Sequence, residues 1–181
     1  ADEMIAAAEP KVVKEWSMED FEEFPEREVD ETVVMRGMQS FVKARCNQCH
    51  VVSGHGINLG PELTKISERM DGKKLLQQII QPSLELNKQF QNHQFILLDG
   101  TVASGVIIEE TLKQYKIASN LLDPKNVKLI DKDQIDEQIP SKISAMPSGM
   151  LDVLTRDEIL DLISFLESGG RQSNSHNSKS H

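Results

Sequence analysis

Apolar residues keep a helical period in three stretches of this chain and an alternating one between them. Over 30–45, Val33, Val34, Gly37, Phe41 and Val42 fall at helical spacings and form one stripe. Gly37 sits on that stripe, where it costs about 1 kcal/mol relative to Ala. A second helix crossing closely there would offset the cost. Residues 72–81 read as a short helix that Pro82 stops. Thr155-Arg156-Asp157-Glu158 is a capping box for a last helix whose stripe is Ile159, Leu162, Ile163 and Leu166.

Between the second and third helices the period changes. The runs 90–98, 101–109, 112–119 and 126–131 are β-rich, joined by Asp99-Gly100, Glu109-Glu110-Thr111 and Leu122-Asp123-Pro124. Tyr115/Ile117 and Val127/Leu129 alternate as a meander with one covered face would. His93 reads as a surface residue of the first strand. The pattern predicts a mainly α domain over 30–169, with a small antiparallel β-sheet inserted at about 89–135, α+β overall. A 1–29 arm and a disordered polar tail over 170–181 flank it.

The chain's only cysteines stand three apart in Cys46-Asn47-Gln48-Cys49-His50. Two sulfurs at this spacing add to the two vinyl groups of haem, and the next imidazole then falls beneath the iron. Rival chemistries fit less well. A thioredoxin-like dithiol ends a strand, whereas the residues before Cys46 read as helix. A structural zinc site needs four ligands, and His50 and His55 are too close-set for the usual finger. A plain disulfide leaves His50 unexplained. The expected cofactor is one covalent haem c, tethered by Cys46 and Cys49 and ligated by His50. A loop rich in Gly and Pro follows, His55-Gly56-Ile57-Asn58-Leu59-Gly60-Pro61-Glu62-Leu63. A ligating histidine needs an acceptor for its second ring N–H, and the carbonyl of Pro61 is suited to that.

With these residues in view, the chain resembles the class I c-type cytochromes. More narrowly it resembles the haem-binding cytochrome domain family of planctomycete and verrucomicrobial bacteria. The resemblance rests on residues 14–20, Gly37 to His50, Gly60-Pro61-Glu62-Leu63-Thr64, Gln81-Pro82-Ser83, the Asp99-Gly100 turn and Ser144-Ala145-Met146-Pro147-Ser148-Gly149-Met150-Leu151. It implies a cytochrome c fold with the same β insertion. It also implies a methionine as sixth iron ligand, a soft thioether that raises the reduction potential. Of seven methionines, the resemblance selects Met146, which precedes Pro147. Met150 stands where the family usually has Leu. Met4, Met18, Met35, Met38, Met70 and the loop histidine His55 are the remaining candidates. The metal ligands expected are therefore His50 and Met146.

Composition adds two things. Aromatic content is 4%, so the chain has few large side chains of its own, and a flat apolar cofactor would add to its core. Residues 1–31 hold 12 acidic and 3 basic side chains, which accounts for the whole net charge of −9. The stretch reads as a solvated arm or as a patch that steers a basic redox partner. No basic stripe exists for nucleic acid, and no apolar run is long enough for a membrane span. Residues 1–8 are too short and too acidic for a secretory h-region. Haem is joined to free thiols outside the cytosol, so the expected location is periplasmic or otherwise exported. The expected activity is electron transfer, with no catalytic residues of its own. A gas sensor or peroxidase-like enzyme with an opening distal site is the alternative, and a docking module of a larger redox protein is a third.

Overall fold

The computed structural model describes residues 11–171 except Glu26, Leu122, Pro124 and Lys125. Of the predicted tail over 170–181, residues 172–181 with His176 and His181 lie outside the described residues, as does Met4, while the Gly170 N–H donates to the Phe165 carbonyl at 3.1 Å.

Helix α1 spans Glu31–Lys43, α2 Gly72–Ile80 and α3 Arg156–Glu167. Each starts on a side-chain cap. Asp30 accepts from the Val33 N–H, Asp71 from the Lys74 N–H, and Thr155 and Glu158 cap α3 reciprocally. Helix α3 is buried from Ile159 to Leu166 and is the axis of the helical core. Helix α1 crosses it at Gly37. A Cβ there would stand 2.2 Å from the Asp161 carbonyl oxygen and 2.4 Å from Phe165 Cβ. The missing side chain is what lets the two backbones meet, and one turn later the Phe41 ring packs at a tilt against that of Phe165, 5.7 Å between centroids.

Burial along α1 corrects one expectation. Val33, Val34, Gly37, Ser40 and Phe41 face inward, but Val42 is 53% exposed. Ser40 takes the inward position, its hydroxyl donating to the Arg36 carbonyl at 3.0 Å. Asp161 is a buried carboxylate on α3, held by Arg27 Nη1 at 2.6 Å and Arg36 Nε at 2.5 Å. Both arginines remain partly in water, so the carboxylate is neutralised without burying two cations.

The expected arm corrects a second. Residues 11–25 pack onto the helices instead of trailing from them. Phe21 is fully buried and touches the Trp16 ring at 5.4 Å. The Trp16 indole N–H donates to the Leu154 carbonyl at 3.0 Å, and the Val13 N–H to that of Asp152 at 2.7 Å. Full burial of a Phe contributes about 2–3 kcal/mol, so this segment is part of the domain.

Two short strands, β1 (Val51–Val52) and β2 (His55–Gly56), form a hairpin after the cysteine motif. Between α2 and α3 lies a sheet of five strands: β3 Asn92–Leu97, β4 Val102–Glu110, β5 Gln114–Ala118, β6 Val127–Asp131 and β7 Ile135–Pro140. All its pairs are antiparallel, in the order β6-β5-β4-β3-β7. Asp99-Gly100 makes the β3–β4 turn, with Gly100 at φ 82°. Strand β7 was not foreseen, and it carries the sheet to residue 140. The sheet has its own cluster of Phe95, Ala103, Ile117 and Ile130, flanked by Leu97, Ile107, Tyr115 and Ile135. Two strand readings change accordingly. Val127 and Leu129 point to solvent while Ile130 turns in. His93 is half-buried, its ring 6.1 Å from Phe95, so it is not a surface residue. Among the described residues no helix is long and apolar enough to cross a membrane.

Candidate functional site

Helix α1 ends at Lys43, and Arg45 adopts left-handed angles (φ 59°, ψ 18°) that reverse the chain. A non-glycine residue there costs roughly 1 kcal/mol. The reversal sets Cys46–Gln48 into a 3-10 turn. The Cys49 and His50 N–H groups both donate to the Cys46 carbonyl, at 3.1 and 2.9 Å. One backbone oxygen thus ties the two thiols and the imidazole into a single turn.

The following loop is sewn to that turn. Leu59 and Gly60 N–H groups donate to the Cys49 carbonyl at 3.0 and 2.7 Å, and the Ile57 N–H to that of Asn47 at 2.9 Å. This brings the Pro61 carbonyl oxygen to 2.8 Å from His50 Nδ1. Nε2 is then the ring nitrogen left for a ligand. Burial lowers the His50 pKa from its ordinary 6.5, opposed in part by the Pro61 carbonyl. The ring is neutral at physiological pH, the form a metal requires.

Both cysteines are free thiols. Burial pushes Cys46 up to about 12 and raises Cys49 as well. A thioredoxin-type nucleophile needs the opposite shift. Among the described residues no set of three or more His, Cys, Asp and Glu side chains converges as a metal cage. Two thiols on one turn with a neutral imidazole fixed at Nδ1 fit a covalently tethered haem.

The remaining candidates are spread around the core. Met146 is half-buried and packs on the same helical cluster as Cys46, Leu63 and Met70. Its loop is anchored: the Met146 N–H donates to Ser144 Oγ at 3.1 Å, and the Ser144 N–H to Ser83 Oγ at 3.0 Å. Met150 is half-buried in a hollow beside Trp16 and Ile79. Met35 and Met38 lie on the outer face of α1, 47% and 45% exposed. Met18 packs on the core beside Trp16 and Phe21. His55 is exposed on β2, its Nδ1 3.0 Å from the Ser53 carbonyl oxygen. The structure brings Cys46, Cys49, His50 and Pro61 together in one seat, and Met146 comes to the same core from far along the chain.

Two contacts to this seat were not legible beforehand. Gly60 leaves the space that the His50 ring occupies, and the Leu121 carbonyl oxygen lies 3.9 Å from Cys49 Sγ. The Gly-Pro pair signalled the first as a tight loop. Nothing signalled the second, because it joins the motif to a turn of the inserted sheet.

No curated protein matches the chain. A family model does, and its match begins on α1, takes in the cysteine turn and the wrapping loop, and ends in β3, short of Met146. That family is cytochrome c, matched over residues 34–95.

Proposed function

We propose that this chain is a monohaem c-type cytochrome that passes single electrons between redox proteins outside the cytosol. The observation that carries the reading is the His50 seat, in which Nδ1 is fixed on the Pro61 carbonyl at 2.8 Å beside two unpaired thiols. Bound haem supplies a one-electron ferric/ferrous couple. Cys46 and Cys49 would hold it by thioethers, and His50 and Met146 would be its iron ligands. Pro61 fixes the tautomer and orientation of His50 and raises its strength as a ligand. The Pro61 carbonyl on His50 and the Ser144 and Ser83 hydroxyls on the Met146 loop would hold both side chains in place, which limits rearrangement on electron transfer. No residue at the seat is placed to act as a general base or nucleophile in this reading. The acidic N-terminal stretch favours a partner with a basic docking surface. Thiols and haem are joined in the periplasm or an equivalent space, which is where the protein works.

Mass and colour after denaturation test the tether. The polypeptide should be heavier by one haem, and the colour should remain with it in acid acetone. Extraction of the pigment overturns the proposal. A reduced protein that binds CO readily would instead put the sensor or peroxidase reading first.

A further inference from the structure

Strand β4 contains an irregularity in its pairing with β5. Ile107 pairs with Ile117 and Glu109 with Lys116, so Ile108 is the extra residue of a bulge. Successive residues of a regular strand face opposite sides of the sheet, and a bulge re-aims them. Here both Ile107 and Ile108 line one cavity of about 620 Å³. Pro61 and Glu62 of the loop that seats His50 line the same cavity, together with Arg69 and Phe90. A second contact is independent of the first. The turn between β5 and β6 carries the Leu121 carbonyl to within 3.9 Å of Cys49 Sγ. The sheet therefore shares a cavity with the wrapping loop and meets the second thiol by a backbone oxygen.

Resting on the haem reading above, we infer that the inserted sheet is one wall of the haem crevice. The bulge at Ile108 turns an apolar side chain into the shared cavity, where it would keep water from a bound haem. The insertion is then part of the redox centre, and it sets both the potential and the face by which small reductants reach the haem. Solvent exposure and charge near the iron are recognised levers on haem potential. Ile107 also belongs to the sheet's own apolar cluster, whereas Ile108 does not, so Ile108 is the position to change.

The test uses the full-length holoprotein with Ile108→Glu, against Leu112→Glu, which adds the same charge to the same sheet at a 99% exposed turn residue. Midpoint potential and the rate of reduction by ascorbate are read on both. Ile108→Glu should lower the potential, because a nearby carboxylate favours ferric iron, and should change the reduction rate severalfold. Leu112→Glu should match the parent in both. If Ile108→Glu loses the sheet's circular-dichroism signal, Ile108→Ser carries the comparison, with a downward shift in potential expected from admitted water. Equal behaviour of the position-108 and position-112 variants overturns the wall. Covalent haem is measured by mass in every sample. Its absence from the parent sinks the haem reading and the wall together, whereas its presence without a position-108 effect sinks the wall alone.

Discussion

Gly60 presents a bare backbone to the ring of His50: a Cβ at that position would stand 2.9 Å from Cε1 and 3.2 Å from Nδ1. The ring is held between this surface and the Pro61 carbonyl, so its plane is fixed from two sides. Gly60→Ala should therefore tilt the imidazole while leaving Cys46 and Cys49 untouched. Haem should remain attached, the ligand-field spectrum should shift, and stability should fall by about 1–3 kcal/mol, the usual cost of overpacking. An unchanged spectrum in Gly60→Ala would show that the seat tolerates a displaced ring.

The distal ligand separates Met146 from its rivals. Met146→Ala should keep the haem, lower the potential, and open a position for CO. Met150→Leu and His55→Ala should keep the parent spectrum. Loss of six-coordination in either of those, with Met146→Ala unaffected, would move the axial assignment.

Phe21 tests whether the acidic N-terminal stretch is part of the domain. It is fully buried against the helical cluster, so Phe21→Ala should cost about 3–5 kcal/mol. Chemical denaturation of the two holoproteins gives the difference directly. A cost below about 1 kcal/mol, ordinary for surface changes, would return residues 11–25 to the status of an arm.

Acid stability is linked to Glu158. Burial alone would raise its carboxyl. The Lys43 ammonium, 2.7 and 2.9 Å from its oxygens, and the Thr155 N–H at 2.8 Å outweigh that and hold it below 4.5. A carboxylate depressed in the folded state adds stability above its unfolded value and loses it as pH falls through the folded one. Glu158→Gln should thus be less stable near neutral pH, by on the order of 0.5 kcal/mol for a pair so open to solvent. The gap should close in the acid range below 4.5. A gap that persists at low pH would assign the effect to packing.

What could be read from sequence divides along physical lines. The cysteine motif, the Gly37 crossing and the Thr155 capping box are each local patterns whose chemistry admits few arrangements. Strand β7 escaped because Ile135-Asp136-Glu137-Gln138-Ile139-Pro140 is exposed almost throughout. An edge strand with neither face covered carries no alternation to detect. Val42 was misassigned because one extra apolar residue beside Phe41 widens the apparent stripe, while the buried Ser40 hides the true one. Phe21 and Trp16 sit among acidic residues, whose charge outweighed two aromatic anchors in the reading. The bulge at Ile108 leaves no compositional mark at all, since Ile107 and Ile108 look like an ordinary buried strand.

The Asp161–Arg36 pair spans 125 residues of chain, while His50 and Pro61 are only 11 apart. Short closures form early and long ones late, because the entropy of bringing distant segments together must be met before their contacts reward it. The thiol-bearing turn and its loop can therefore take shape while α3 and the Met146 segment are still unplaced. Pairing of α1 with α3 at Gly37 closes the longer loop, so the helical core is completed after the turn that carries the thiols.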